Sequence, residues 1–209
     1  MISIPESKNI SNIIPPNYST WQTIELTYQC AKYAIDNNIE GDFVECGVAS
    51  GNNLAAMCYA GRHGFGFDSF EGIPWAGPND EVQPGMRAKV PGTEGLLESS
   101  GVTVHSLEDV ELNFKIWGLK NYTLVKGWFQ NTVMKHYSKI SVLRLDGDLY
   151  DSTYVCLLYL YPLLSKGGIL IMDDWELLGC QKAFDDYFDG LEEDRPEIIL
   201  ENRVTYWRK

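Results

Sequence analysis

Short apolar runs alternate with amphipathic stretches along most of the chain. The apolar runs end in polar or acidic residues and predict five strands, at 42–46, 64–68, 122–126, 141–146 and 169–173. Helical spacing predicts a first helix from Trp21, with Ser19 as its cap, and four further helices at 52–59, 107–117, 152–164 and 180–188. This alternation predicts an α/β protein with a doubly wound parallel sheet.

The two ends of the chain and one internal segment depart from this pattern. Two further strands are predicted at 197–200 and 204–208, close enough to pair as an antiparallel hairpin. The segment at about 69–104 is rich in glycine and proline, and it is longer than compact domains usually tolerate without a function. We expect a lid or acceptor-binding insertion there, with a disordered excursion as the alternative. Residues 1–20 are expected to form an irregular N-terminal arm, and residues 21–209 one folded domain.

Composition narrows the class of protein. A chain of 209 residues with 44% hydrophobic content can bury one sizeable core. The net charge of -12 and the lack of a Lys/Arg cluster argue against binding to nucleic acid or an anionic membrane. The five cysteines are widely spaced within apolar stretches, which is typical of buried thiols in a reducing compartment. Neither a signal peptide nor a membrane span is indicated, so we expect a cytoplasmic protein.

A glycine-containing turn follows the first predicted strand. Gly47 and Gly51 have no side chain, so a ligand can approach the backbone between this strand and the next helix. Asp68 ends the following strand about twenty residues on, where nucleoside-binding sheets keep an acid for ribose hydroxyls. The third glycine of the dinucleotide fingerprint is lacking, which favours S-adenosylmethionine over a nicotinamide. A tight turn without a ligand is the alternative.

Acidic residues follow two consecutive predicted strands. Asp146 and Asp148 come after one strand, and Asp173 and Asp174 come after the next. The carboxyl ends of neighbouring parallel strands lie side by side, so these carboxylates should converge. Carboxylates that lie this close together repel one another unless a cation neutralises them. A hard divalent ion such as Mg²⁺ is the simplest source of the neutralising charge. Helix capping is an equally good explanation for Asp148 or Asp151 alone, but not for the other three together.

Several ordered motifs give the chain a resemblance to a known family. They are VECGV at 44–48, FDSFEGIP at 67–74, VKGWF at 125–129, LRLDGDLYDST at 143–153, GG at 167–168, DD at 173–174 and YWR at 206–208. With these motifs the chain resembles the macrocin O-methyltransferase family, which includes antibiotic-tailoring enzymes that methylate sugar hydroxyls. The resemblance implies a Rossmann-like class I methyltransferase that depends on S-adenosylmethionine. Its expected fold is a seven-stranded, mostly parallel sheet with an antiparallel C-terminal strand.

The resemblance also implies site residues. It assigns a Mg²⁺ ion to Asp146, Asp173 and Asp174, with the metal binding vicinal oxygens of the substrate. The residues expected at the S-adenosylmethionine site are Glu45, Gly47, Val48, Gly51, Asn52, Asp68, Ser69, Phe70, Gly127, Trp128, Phe129 and Asp146. The catalytic base must reach the acceptor hydroxyl. Asp146 is preferred for this role and Asp148 is second, since both begin the same loop.

The expected partner is a small-molecule acceptor. The resemblance favours a sugar or a metabolite that contains one, and a polyketide or a phenol stays open. Trp175 stands where the family has a tyrosine, on the acceptor side, so a macrolide substrate is not carried over. A homodimer is left open. Two alternatives also remain. One is a nicotinamide-dependent oxidoreductase on the same sheet, which the missing third glycine makes less favoured. The other is a non-catalytic scaffold, and the presence of acids at both strand ends argues against it.

Overall fold

The computed structural model describes residues 10, 13–17, 19–81, 92–191, 197–201 and 204–209, and of residues 201 and 204 it describes the backbone alone. Helices and strands alternate along these residues. The helices are α1 (Trp21–Asp36), α2 (Asn52–Tyr59), α3 (Leu107–Ile116), α4 (Phe129–Thr132), α5 (Tyr150–Leu160) and α6 (Leu178–Asp189). The strands are β1 (Asp42–Cys46), β2 (Gly64–Asp68), β3 (Tyr122–Lys126), β4 (Ile140–Leu145), β5 (Leu164–Met172), β6 (Ile199–Glu201) and β7 (Val204–Arg208).

All seven strands form one sheet in the order β3-β2-β1-β4-β5-β7-β6. The pairs among β1 to β5 are parallel, whereas β7 is antiparallel to both β5 and β6. The expected seven-stranded sheet with an antiparallel strand at the C-terminus is therefore confirmed. Because β1 lies between β2 and β4, the chain changes direction across the sheet at β1, and ligands bind beside such a switch point.

Successive strand residues point to opposite faces of the sheet, and each face carries its own core. In β1, Phe43 packs with α1 and α2 on one face, while Val44 packs with α5 and α6 on the other. Tyr206 and Trp207 of β7 divide between the two cores in the same way. Both faces are covered by helices, which explains why the strands read as continuous apolar runs.

The predicted strand bounds for β1, β2 and β3 are confirmed to the residue. Strand β5 begins five residues before the predicted start at Ile169, because Leu164 already pairs with Ile140 ahead of an irregularity in the register. The first helix begins at Trp21 as expected, but its cap is Thr20, whose Oγ1 accepts a hydrogen bond from the Thr23 amide at 3.2 Å. Ser19 instead accepts one from the Asn53 side chain at 2.6 Å.

In the segment between β2 and α3, the described residues on either side of 82–91 are joined by a few backbone hydrogen bonds. The Ile73 amide donates to the Val102 carbonyl at 3.1 Å, and the Ser100 amide donates to the Ile73 carbonyl at 2.9 Å. An isolated bridge joins Pro74 to Ser99. The expected lid at 69–104 falls partly on residues 82–91, and the expected arm at 1–20 largely on residues 1–9, 11, 12 and 18, which lie outside the described residues.

All five cysteines are buried and none of them forms a disulfide bond, as the sequence predicts. Within the described ranges, no helix has both the length and the apolar character needed to cross a membrane.

Candidate active site

The turn after β1 brings three segments close together. Gly47 has a φ of 91°, and a Cβ there would lie 1.7 Å from the carbonyl oxygen of Asp146. Only glycine therefore allows the ends of β1 and β4 to approach this closely. Gly51 also has a φ of 91°, but a Cβ there would meet the ring of Phe114 on α3. The second glycine of the motif thus makes room for helix packing.

The Asp68 carboxylate holds this turn in place. Its Oδ2 accepts hydrogen bonds from the backbone amides of Val48 at 2.7 Å and Ala49 at 3.1 Å. Its Oδ1 accepts one from the Phe70 amide at 2.7 Å. Ala49 and Phe70 both have a positive φ, which is uncommon outside glycine. The contacts from Asp68 stabilise these two strained turns in addition to any contact with a ribose.

A cavity of about 560 Å³, open to solvent, lies at the carboxyl edge of β1, β2 and β4. Seven of the predicted site residues line it: Gly47, Asp68, Ser69, Trp128, Phe129, Asp146 and Asp148. Sequence reasoning missed the other lining residues, which are Ala49, Gly72, Ile73, Pro74, Thr103, Gln130, Gly147 and Ser152. The motif at 67–74 was the available signal for three of them, Gly72, Ile73 and Pro74, but the site residues predicted within it end at Phe70.

Six residues predicted at the cofactor are not part of this lining, and most of them serve other described contacts. These six are Glu45, Val48, Gly51, Asn52, Phe70 and Gly127. The Asn52 side chain donates to the carbonyl of Pro15 in the arm, and Phe70 is buried in the core. The Gly127 amide donates to the Asp68 carbonyl at 2.8 Å.

The acidic residues after β4 and β5 converge as the sequence predicts. One oxygen from each of Asp146, Asp173 and Asp174 lies within 4.8 Å of the others. The strand ends are joined by backbone hydrogen bonds, since the Asp146 amide donates to Cys46 at 2.8 Å and the Asp173 amide to Leu145 at 3.0 Å. The topology of the sheet, with β5 beside β4, is what brings these carboxylates together.

Arg144 supplies a positive charge that sequence reasoning did not consider. Its side chain is fully buried, and Nη1 lies 3.1 Å from Glu45 Oε1 and 2.6 Å from Asp146 Oδ2. Its Nη2 contacts Asp173 Oδ1. A metal ion is therefore not the sole source of neutralisation at this edge, which corrects the expectation that only a divalent ion could neutralise the cluster. The signal was a charged residue between Leu143 and Leu145 of an apolar strand, because buried charges require partners.

The acids here hold their protons more tightly than usual. Burial, followed by the repulsion from Asp173, raises the pKa of Asp146 to about 6. Burial also raises the pKa of Asp148 to about 7, with the charge of Asp146 as the next cause. The pKa of Asp174 is raised well above its ordinary value by burial and by Asp148. Such perturbed carboxyl groups beside a cavity are typical of catalytic sites.

Asp148 reaches the cavity through an unusual backbone conformation. Its φ is 61°, in the left-handed region that costs energy for residues other than glycine. Its amide donates a hydrogen bond to Asp174 Oδ2 at 2.8 Å, which stabilises the conformation. Both candidate bases, Asp146 and Asp148, therefore line the same cavity, whereas Asp173 and Asp174 are not among its lining residues and lie close to Asp146.

The sheet order, the glycine turn after β1 and the cavity at the switch point define a class I methyltransferase. The family model for macrocin-O-methyltransferases (TylF) matches residues 22–209. The chain belongs to this family, and it is an O-methyltransferase that uses S-adenosylmethionine.

Individual relatives agree with this assignment. The 8-demethyl-8-(2,3-dimethoxy-alpha-L-rhamnosyl)-tetracenomycin-C 4'-O-methyltransferase of Streptomyces olivaceus is 33% identical over 190 residues, which cover 86% of this chain and 70% of the relative. The demethyldecarbamoylnovobiocin O-methyltransferase of Streptomyces niveus is 33% identical over 221 residues, covering 98% of this chain and 80% of the relative. The solved structure of the O-methyltransferase NovP is 32% identical and superimposes with a TM-score of 0.74, covering 93% of this chain and 82% of NovP.

Proposed function

We propose that this protein transfers the methyl group of S-adenosylmethionine to a hydroxyl of a sugar or a sugar-bearing natural product, with a divalent ion, Mg²⁺, held by Asp146, Asp173 and Asp174. The observation that carries the proposal is the convergence of these three carboxylates within 4.8 Å beside the cavity. The acceptor class is supported by the relatives, whose names specify a rhamnosyl tetracenomycin and a novobiocin precursor.

The residues present fit a hard divalent ion. The cluster offers carboxylate oxygens, which Mg²⁺ prefers, and the three ligand atoms are close enough to share one ion. Arg144 contacts one oxygen of Asp146 and one of Asp173, so the second oxygen of each carboxylate remains a candidate ligand. A bound divalent ion would lower the proton affinity of an acceptor hydroxyl and fix its position.

The chain itself would position the donor and remove the proton. Methyl transfer from a sulfonium is an in-line displacement, for which alignment of the reacting atoms supplies much of the rate. The turn at Gly47 and the aromatic side chains of Trp128 and Phe129 form the part of the cavity that suits an adenosyl group. Asp146 is the first candidate for the base and Asp148 the second, since both line the cavity that would hold the acceptor hydroxyl.

Transfer of labelled methyl groups from S-adenosylmethionine to a panel of glycosides tests the proposal. We expect turnover with a glycosylated acceptor, loss of turnover in EDTA, and recovery when Mg²⁺ is added back. The variant Asp173→Asn should lower turnover by about 100-fold, since it removes one charged ligand. The matched control is Asp36→Asn, because Asp36 is an exposed acid at the end of α1. Full activity in EDTA together with an unaffected Asp173→Asn variant would contradict the metal assignment.

Family membership does not favour the two alternatives, a nicotinamide-dependent oxidoreductase and a non-catalytic scaffold. The cytoplasmic location, a homodimer, and the lack of nucleic-acid or membrane partners stay predictions from the sequence. The division into an arm at 1–20 and a methyltransferase domain at 21–209 with an insertion at about 69–104 is likewise part of the proposal.

A further inference from the structure

Asp80 is a buried acid in the segment between β2 and α3. Only 6% of the residue is exposed. Its Oδ2 accepts a hydrogen bond from the Gly77 amide at 2.8 Å, within the same segment. Its Oδ1 accepts one from the Tyr150 amide at 2.7 Å, seventy positions along the chain. One carboxylate therefore joins this segment to the first residue of α5.

The start of α5 has no side-chain cap of its own. Its N-cap residue is Leu149, which cannot accept a hydrogen bond through its side chain. The sequence suggested Asp148 or Asp151 as caps, but it is Asp80 that accepts the hydrogen bond from the Tyr150 amide. Carboxylates are favourable near helix N-termini, where backbone amides lack partners and the helix dipole is positive. Asp80 thus acts as a cap from a distant part of the chain.

Gly179 on α6 makes room for this contact. A Cβ at Gly179 would lie 2.2 Å from Asp80 Oδ1 and 3.3 Å from its Cγ. Glycine is less favourable than alanine inside a helix, so a glycine in the first turn of α6 calls for a packing reason. The approach of the Asp80 carboxylate supplies that reason.

The contact from Asp80 joins two parts of the candidate active site. The loop before α5 carries Asp146 and Asp148. It ends at Tyr150, whose amide donates the hydrogen bond to Asp80. On the other side, Ile73 and Pro74 of the segment line the main cavity. A second cavity of about 230 Å³ adjoins the first, and its lining includes Pro74, Trp75, Asp80, Gln130, Leu149 and Ser152.

We infer that Asp80 is a positioning residue. It fixes the part of the cavity wall that Ile73 and Pro74 form against the loop that carries the candidate bases. The inference rests on the proposed function and deepens it, since it assigns the segment after β2 a part in acceptor turnover. Displacement of the Asp80 carboxylate should misplace the loop relative to the bound donor. Small displacements of this kind cost catalysis heavily, on the order of 10- to 100-fold.

Two substitutions at different positions test this by the same physical route. Asp80→Ala removes the carboxylate, whereas Gly179→Ala leaves it in place but occupies its space. Each should lower kcat/KM for the acceptor by about 10- to 100-fold, with the Kd for S-adenosylmethionine within about threefold of wild type. Asp80→Asn, which keeps an acceptor oxygen for Tyr150, should recover part of the loss. The control is Gly190→Ala at the other end of α6, where a Cβ would make only ordinary contacts, the nearest at 3.5 Å.

The double variant gives the sharpest result. If Gly179 matters only because it admits the carboxylate, Gly179→Ala should cause no further loss once Asp80 is alanine. The double variant would then have the same kcat/KM for the acceptor as Asp80→Ala alone. Multiplied losses, or a Gly179→Ala variant with wild-type kcat/KM, would overturn the inference.

Hydrogen exchange separates this inference from the proposed function. With S-adenosylhomocysteine bound, Asp80→Ala and Gly179→Ala should increase amide exchange in a peptide covering residues 146–152, relative to Gly190→Ala. A general loss of structure would instead raise exchange in strands remote from the site, such as β3. If the wild type methylates no acceptor, the proposed function fails while the exchange result stands. Unchanged exchange at 146–152 would overturn the role of Asp80 itself.

Discussion

Replacement of Arg144 by methionine should destabilise the protein strongly in the absence of metal. Arg144 is fully buried and contacts Glu45, Asp146 and Asp173. Loss of one partner from a buried ion pair typically costs about 3–5 kcal/mol, because the remaining charge is left without compensation. Methionine keeps an apolar stem but is shorter than arginine, so the substitution removes the guanidinium group with its charge and its hydrogen bonds.

For Arg144→Met, we expect a loss in the free energy of unfolding at the lower end of that range. Burial raises the pKa of Glu45 to about 8 although the charge of Arg144 lowers it, so Glu45 already holds a proton near neutral pH and does not become an uncompensated charge when Arg144 is removed. The side chains of Asp146 and Asp173 are 26% and 30% exposed, so water compensates part of their charge. We therefore expect a loss of about 3 kcal/mol in the free energy of unfolding. For a domain of this size, that corresponds to a fall in Tm of roughly 6–12 °C.

Urea denaturation in EDTA measures this loss, with thermal unfolding as a second assay. The matched control is Lys139→Met, which removes a cation from an exposed pair with Glu40, whose side chains are 62% and 74% exposed. Exposed pairs contribute at most about 1 kcal/mol. If Arg144→Met were no less stable than Lys139→Met, Arg144 would not be the counter-ion of the acidic cluster.

Three further predictions concern the cofactor turn and the buried acid beside it. Gly47→Ala should raise the Kd for S-adenosylmethionine at least about 100-fold, or about 2.7 kcal/mol, because its Cβ would strike the Asp146 carbonyl. Gly61 also has a positive φ, of 115°, but a Cβ there would have no atom within 4 Å, so calorimetry should find the Kd of Gly61→Ala unchanged. Asp68→Asn should weaken donor binding about 10-fold in the same titration, since the turn loses a charged acceptor for two amides; wild-type affinity would refute this. Burial raises the pKa of Glu45 from 4.5 to about 8, so the folded state binds this proton more tightly and stability falls as pH rises between those values. Glu45→Gln should flatten that part of the stability curve in urea denaturation, and an unchanged slope would contradict the assignment.

The sheet and the acidic edge could be predicted from local patterns. The apolar runs set the bounds of β1, β2 and β3, since each strand is short and is followed by polar residues. Once a parallel sheet was expected, the convergence of Asp146, Asp173 and Asp174 followed from strand ends meeting at one edge. Both inferences need only neighbours in sequence or a general rule of topology.

The partners of buried charges could not be predicted in this way. Asp80 lies in a segment without periodicity, and the amide that donates a hydrogen bond to it, that of Tyr150, is seventy positions away. The contacts of Arg144 with Glu45 and Asp173 likewise depend on the three-dimensional packing of β1, β4 and β5. Gly51 was expected to leave the backbone open to a ligand, but a Cβ there would also meet the ring of Phe114, a packing contact that no local pattern indicates.

We have proposed that a divalent ion binds among the carboxylates at the ends of β4 and β5. A crystal structure with Mn²⁺ and S-adenosylhomocysteine, recorded at a wavelength where manganese scatters anomalously, tests it directly. We expect an anomalous peak within coordinating distance of oxygens from Asp146, Asp173 and Asp174, next to the donor cavity. Bound S-adenosylhomocysteine without such a peak, with Asp146 and Asp173 paired only to Arg144, would contradict it.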